Sequence, residues 1–431
     1  QSFHTRRYSD LTKQRQRIAE LVKLQTELNQ QFNQFGERKD VVALLDKLSR
    51  KSYDMTVKFR DLDALRDDLR RLDAVMLYPL ILDDRLELVI TTPDSPPLRR
   101  TVKVKRTELN QVITEFRQAL QNPRSDAKTP AKKLYNWLIK PLENDLKQSQ
   151  AKTIIYAPDS QLRYIPLSAL HDGEQWLVQR FRVNNITAKS LTDFTAKPQP
   201  QPKILAGAFV EGNYNIQVIG DNYRFQGLPY AGKEVENLTK LLPKTTKLID
   251  KEFNKDDTTV KMNEYNILHL ATHAAFVKGD ASKSFILFGN GEIANLKEIG
   301  NWTLNNVDLV VLSACETGIG GFGNGEEILG LGYQFQSRGA RATIASLWKV
   351  SDGGTQVLMN GFYNVLKQGK MTKAEALRQA QIALITDDYD SVGGKRAGII
   401  VESRTGERKQ VSSNLEHPYY WAPFILIGNG L

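Results

Sequence analysis

The chain opens on two stretches with a seven-residue apolar period. Leu11, Ile18, Leu21, Leu28, Phe32 and Phe35 fall on one stripe, and Val41, Leu48, Met55, Leu62 and Leu69 recur every seven residues. Such spacing lines apolar side chains along one face of a helix. Gly36 stands between the stretches and tolerates the backbone angles of a helix stop. The pattern predicts an antiparallel helical hairpin within residues 1–72, packed on the rest of the chain or on a partner protein. No tetratricopeptide period runs through it.

From residue 73 the period changes to two. Residues 75–82 and 85–92 read as a hairpin about Asp83 and Asp84, and 100–106 as a further strand. Helices are expected over 107–121 and 130–148, and strands over 153–157, 162–170 and 176–186. Lys197-Pro-Gln-Pro-Gln-Pro202 reads as an extended linker, because proline fixes φ and removes a donor. It sets the main internal boundary, giving regions 1–72, 73–202 and 203–431. Past it, strands are expected at 204–209, 247–249, 267–272, 307–314, 342–347 and 424–427. Helices alternate with them at 230–242, 256–264, 326–337, 355–367 and 372–384, and 397–410 reads as an excursion hairpin. Apolar strands alternating with helices predict an α/β fold with a parallel sheet covered on both faces.

Composition narrows the function classes. At 431 residues the chain exceeds one ordinary core. The 41% hydrophobic and 25% charged content excludes a disordered chain. The net charge of +10 admits a polyanion partner, but basic residues are spread among acids. In the densest patch (Arg99, Arg100, Lys103, Lys105, Arg106), Val102 and Val104 alternate with Lys103 and Lys105, as on a strand with one solvated face. No nucleic-acid partner is expected. The apolar runs at 74–82 and 307–314 are too short to span a bilayer. Cys315 is the only cysteine, which excludes an intramolecular disulfide and a thiolate metal cage. An unpaired thiol suits a reducing compartment, so a cytoplasmic location is expected, with no metal or cofactor. The chain begins on Gln1 and not Met, which leaves a preceding signal, anchor or further region open.

The expected strand 267–272 leads into His273 and the strand 307–314 into Cys315. Ligands of open parallel sheets sit beyond the C-terminal strand ends. If these strands are neighbours, an imidazole meets a thiol there, the minimum for nucleophilic thiol catalysis. The plain alternative is that Cys315 is a small buried hydrophobe and His273 structural, as His269, on the same side of its strand, is read to be. Residues 318–323 match G-x-G-x-x-G and could form a dinucleotide turn. Against it, three residues separate the strand from Gly318, and Arg338 and Arg341 stand where an acid would. A mobile loop beside a nucleophile accounts for the glycines better. A catalytically silent scaffold for protein–protein interaction is the other alternative.

Two stretches, Leu268-His-Leu-Ala-Thr-His273 and Leu312-Ser-Ala-Cys-Glu-Thr-Gly318, resemble the catalytic motifs of CHAT domains, the caspase/separase-like cysteine peptidases of clan CD. Further pieces agree in order: Leu134-Tyr-Asn-Trp-Leu-Ile-Lys-Pro-Leu142, Leu162-Arg-Tyr-Ile-Pro-Leu-Ser-Ala-Leu170, Leu228-Pro-Tyr-Ala-Gly-Lys-Glu-Val235, Ser346-Leu-Trp-Lys-Val-Ser-Asp352 and His417-Pro-Tyr-Tyr-Trp-Ala-Pro-Phe424. The resemblance covers about residues 73–431. Within the family the set is similar to the cyanobacterial HetF type, which implies a role in cell differentiation.

The resemblance implies a caspase-like, mostly parallel sheet and a Cys315–His273 dyad acting on a protein substrate. It implies an oxyanion hole of backbone N–H groups near Ala274 and of Cys315. Many relatives carry glycine where this chain has Ala274, and alanine keeps the N–H while restricting the backbone. Separase-like relatives use an acidic residue after the fifth strand to bind arginine, which implies that role for Asp352. Ser351 or Asp352 could equally cap the helix starting near Thr355. Trp348 either lines the substrate groove or packs in the core. An activating or regulatory protein would dock on the N-terminal helices.

Overall fold

The computed structural model describes residue 39 and residues 62–187, 192–194, 201–218, 221–277, 284–319, 326–348, 350, 352–393, 399–402, 408–411 and 415–431. The expected helical hairpin lies outside the described residues except for residue 39 and its last turns, α1 (Leu62–Arg71), and the linker lies outside them except for Gln201 and Pro202.

The period-two region folds as read, with shifted edges. Strands β1 (Ala74–Ile81) and β2 (Leu86–Thr91) pair as the hairpin, and β3 (Leu98–Val102) continues it antiparallel. β3 stops short of the expected residue 106. The Val104 N–H turns back to the Val102 carbonyl and the Arg106 N–H bonds Asp83, so these amides leave the ladder. Helix α2 (Arg106–Leu120) follows. The helix expected over 130–148 breaks after α3 (Lys128–Leu138), where Pro141 supplies no backbone donor. Strand β4 (Thr153–Tyr156) is parallel to β1. The strand expected at 162–170 is instead two 3-10 turns, Ser160–Tyr164 and Leu167–Ala169, interrupted by Pro166. Residues 176–186 begin as a helical turn, Leu177–Arg180, before β5 (Arg182–Asn185).

After the linker come β6 (Ile204–Ala208), a hairpin of β7 (Asn213–Val218) and β8 (Asp221–Gln226), α4 (Pro229–Leu241) and β9 (Thr245–Ile249). Then follow β10 (Ile267–Val277), β11 (Phe285–Leu287), β12 (Ile293–Asn295) and β13 (Leu309–Ile319). Helix α5 (Glu326–Ser337), β14 (Ala342–Ser346), α6 (Asp352–Leu366) and α7 (Lys373–Thr386) complete the alternation. The excursion hairpin is β15 (Ile399–Glu402) against β16 (Arg408–Val411), and β17 (Phe424–Gly428) closes the chain.

Among the described residues one 13-stranded sheet takes in both sides of the linker. Its central order is β9-β6-β10-β13-β14-β17-β5-β4-β1-β2-β3, with β11 and β12 extending the upper edge of β10. The strands β9, β6, β10, β13 and β14 are mutually parallel, β17 is antiparallel to β14, and β5, β4 and β1 are again parallel. Ile427 pairs with Asn185 at the seam, where the Asn185 amide also donates to the Leu426 carbonyl at 3.1 Å. This is the mostly parallel, helix-flanked α/β arrangement that the alternation of strands and helices predicts.

Strand alternation assigns the two faces. Ile204, Ala271, Val311 and Ile344 pack with Val235 and Leu238 of α4 and Leu358 and Phe362 of α6. Leu205, Leu268, Val310 and Leu312 pack on the other face with Leu331 and Phe335 of α5. Each fully buried side chain of this size contributes about 1.5–3 kcal/mol, so a one-residue register slip would undo both layers.

Candidate active site

Strands β10 and β13 run on together beyond their neighbours. β6 pairs with β10 only as far as Ala271, and β14 with β13 only as far as Leu312, yet β10 and β13 pair on to Val277 and Ile319. The strands were expected to end at 272 and 314; instead His273 and Cys315 lie within an extension of β10 and β13 that projects past the parallel rim, with β11 alongside β10. This still sets them at the C-terminal edge, where such sheets bind ligands.

A bulge fixes their relative height. Leu270 pairs with Leu312, but His273 pairs with Ala314, so β10 holds one more residue than β13 over this interval. Ala274 then pairs with Cys315 on one side and with Ile286 of β11 on the other. Bulges of this kind redirect side chains and recur beside active sites.

His273 is 3% exposed. Its ring lies 5.0 Å from that of Phe225 and 6.0 Å from that of Phe209, centroid to centroid. Nε2 is 2.8 Å from the Gln226 carbonyl oxygen. A carbonyl only accepts, so Nε2 carries the proton and Nδ1 is the lone-pair nitrogen of the neutral ring. The β7–β8 hairpin thus sets both tautomer and orientation. The strands around His273 give no sign of this partner in sequence, but the hairpin itself leaves one: Tyr214 and Ile216, then Tyr223 and Phe225, alternate about Gly220 and Asp221.

Below this level sits a buried polar group. His269, fully buried, has Nδ1 2.9 Å from the Tyr363 hydroxyl. Its Nε2 lies 2.9 Å from Oε1 of Glu234, at ion-pair distance but without hydrogen-bond alignment. The Ser313 hydroxyl donates to Glu234 Oε2 at 3.3 Å. Burial, and then the Glu234 charge, push the Tyr363 hydroxyl well above its ordinary pKa, so it stays protonated.

The other expected site residues, Trp348 and Asp352, follow β14 in the chain. Asp352 is the first residue of α6, earlier than the expected start near 355. Trp348 is buried in the main core, and its indole N–H donates to the Tyr419 carbonyl at 3.2 Å. Gly318 belongs to β13, and residues 320–325 of the glycine-rich stretch lie outside the described residues. Among the described residues no cluster of His, Cys, Asp and Glu could hold a metal ion, and no helix is long and apolar enough to cross a membrane.

Comparison with known proteins places a CHAT domain over residues 128–429. No curated protein matches the chain. Among solved structures it is similar to the Arg-specific cysteine proteinase gingipain R, at 8% identity and a TM-score of 0.42 over 75% of this chain and 74% of that one. It is also similar to separase in the Saccharomyces cerevisiae separase–securin complex, at 9% identity and a TM-score of 0.49. That match takes in 85% of this chain but only 30% of the separase chain.

Proposed function

The chain belongs to the CHAT-domain family, and from that premise we propose that it is a cysteine endopeptidase working through Cys315 and His273. The observation carrying this reading is the parallel pairing of β10 with β13, which sets Ala274 level with Cys315 and His273 one residue back, with His273 already oriented by the Gln226 carbonyl.

The chemistry follows from the tautomer. Nδ1 of His273 takes the thiol proton, and the Cys315 thiolate attacks the peptide carbonyl carbon. The oxygen gains negative charge, stabilised by backbone N–H groups of Ala274 and Cys315. The imidazolium then protonates the departing amine, the C–N bond breaks, and a thioester remains. Water, giving a proton back to His273, cleaves the thioester and restores the thiol. The Nε2–Gln226 bond strengthens as the ring becomes cationic, which favours the charged intermediate state.

Specificity belongs to the same proposal. Asp352 at the start of α6 would hold an arginine before the scissile bond, while Trp348, which is buried in the core, would contribute to the pocket only by supporting it. The substrate is a protein, an activating partner docks on residues 1–72, and the compartment is the reducing cytoplasm. The experiment is cleavage of a peptide library varying the residue before the bond, with the partner present if the chain is latent. Cys315→Ala and His273→Ala should abolish cleavage in folded protein. An arginine preference that survives Asp352→Ala removes the pocket assignment, and cleavage that survives Cys315→Ala removes the mechanism.

A further inference from the structure

One level below the catalytic pair the strand pattern breaks. The residues of β10 and β13 on the α4–α6 side are apolar at Ile267, Ala271, Leu309 and Val311. At His269 and Ser313 they are polar, and Glu234 and Tyr363 meet them from the helices. All four side chains are buried. A carboxylate taken out of water is costly, and an apolar residue of similar volume would pack at least as well there. Local rules are most often broken in this way where a site needs the residues.

The geometry shows what the group holds. Glu234 bridges the two strands, with Oε1 toward His269 of β10 and Oε2 accepting from Ser313 of β13. One contact lies just before the bulge between Leu270 and His273, and the other is on the β13 residue that faces it. Tyr363 fixes His269 from behind through the 2.9 Å contact of its hydroxyl with Nδ1, which turns Nε2 toward Glu234. The titratable groups facing the carboxylate are thus His269 from β10 and Tyr363 from α6, and Tyr363 is held neutral by its burial.

We propose that Glu234 is a positioning residue for the Cys315–His273 pair: its carboxylate, braced by His269, Ser313 and Tyr363, locks the β10 bulge at the register that brings imidazole and thiol together. This rests on the dyad reading above. A shift of about 1 Å between reacting groups costs on the order of 10²-fold in rate, so an unlocked bulge should lower turnover while leaving substrate affinity nearly unchanged.

The test reads the thiol without any substrate. Cys315 is the only cysteine, so the pH dependence of iodoacetamide alkylation reports its thiolate alone. In the full chain the midpoint should lie below about 8.5, the value of a free thiol, and His273→Ala should raise it to that value. Glu234→Ala should raise it most of the way, Glu234→Gln, which keeps the bridging shape, only slightly, and Ser313→Ala by an intermediate amount. If His273→Ala leaves the midpoint unmoved, the dyad reading fails. If His273→Ala raises it but Glu234→Ala does not, this inference alone is overturned. Should Glu234→Ala not fold, Ser313→Ala decides: a wild-type midpoint overturns the inference, and a raised one supports it. The kinetic companion is a kcat for Glu234→Ala about 10²-fold lower at unchanged KM, recovered largely in Glu234→Gln.

Discussion

Replacing Gly227 with alanine should remove most of the turnover of this protein while leaving it folded. A Cβ at Gly227 would stand 2.2 Å from the Val210 carbonyl oxygen, 2.6 Å from its carbon and 2.7 Å from the Glu211 Cα. These are backbone atoms, and the amides of Val210 and Glu211 are both tied to Asp250 Oδ1, at 2.6 and 3.0 Å, so this side resists movement. The strain falls on residue 227 and on Gln226 just before it. Reaching the closest separation real Cβ atoms tolerate, 3.0 Å, requires about 0.8 Å of displacement. Carried into the 2.8 Å bond between the Gln226 carbonyl and His273 Nε2, that opens it to about 3.6 Å, past hydrogen-bonding range. The imidazole then loses the acceptor that sets its tautomer. Overpacking of this kind costs about 1–3 kcal/mol of stability, while misplacing the base lowers kcat on the order of 10²-fold. The assay is kcat and KM on an arginine peptide, with thermal unfolding measured alongside. A folded Gly227→Ala protein with kcat within about threefold of wild type would refute the role given to the β7–β8 hairpin.

Other perturbations separate stability from chemistry. Gly330, inside α5, has open space where a Cβ would stand, so Gly330→Ala should raise stability by about 0.5–1 kcal/mol in denaturant titration. Lys373 is buried against Asp308 at 2.8 Å, at the opposite end of β13 from Cys315. Lys373→Met should cost about 3 kcal/mol, softened by Arg341 at 3.6 Å from the same carboxyl, with kcat unchanged in the folded protein. Burial holds His417 and His171 below the ordinary histidine pKa. For a lowered histidine the unfolded chain binds the proton more readily, so stability is full above about pH 6.5 and declines as pH falls through the window between that value and the folded pKa. Melting temperatures from pH 7.5 to 5 should fall, and His417→Asn, whose side chain can still cap Tyr419, should flatten the slope.

Much of the architecture was legible from periodicity. The helix expected over 326–337 and the strands at 204–209 and 424–427 appear within about a residue of their expected ends. Burial on both faces makes such strands continuous apolar runs, which sequence displays directly. The errors lie where hydrogen bonds leave the regular ladder. Residues 162–170 are apolar enough for a strand, but Pro166 and the local 3-10 bonds claim the backbone. His273 and Cys315 stood out as chemistry-bearing residues, yet their relative height depends on a bulge that neither strand's pattern reveals. The Gln226 carbonyl was invisible because it is backbone chemistry. His269 was read as structural from its strand position alone; its partners Glu234 and Tyr363 lie on helices distant in sequence, and only folding brings them together.

The central claim is that Cys315 forms an acyl-enzyme with help from His273. Its most direct test is acid quenching during turnover of a peptide ester, followed by intact-mass measurement and mapping of the modified residue. The account predicts a stoichiometric acyl adduct on Cys315 that accumulates before steady state, forms far more slowly in His273→Ala and is absent from Cys315→Ala. Hydrolysis that continues in Cys315→Ala, or turnover with no acyl group on Cys315, would contradict it.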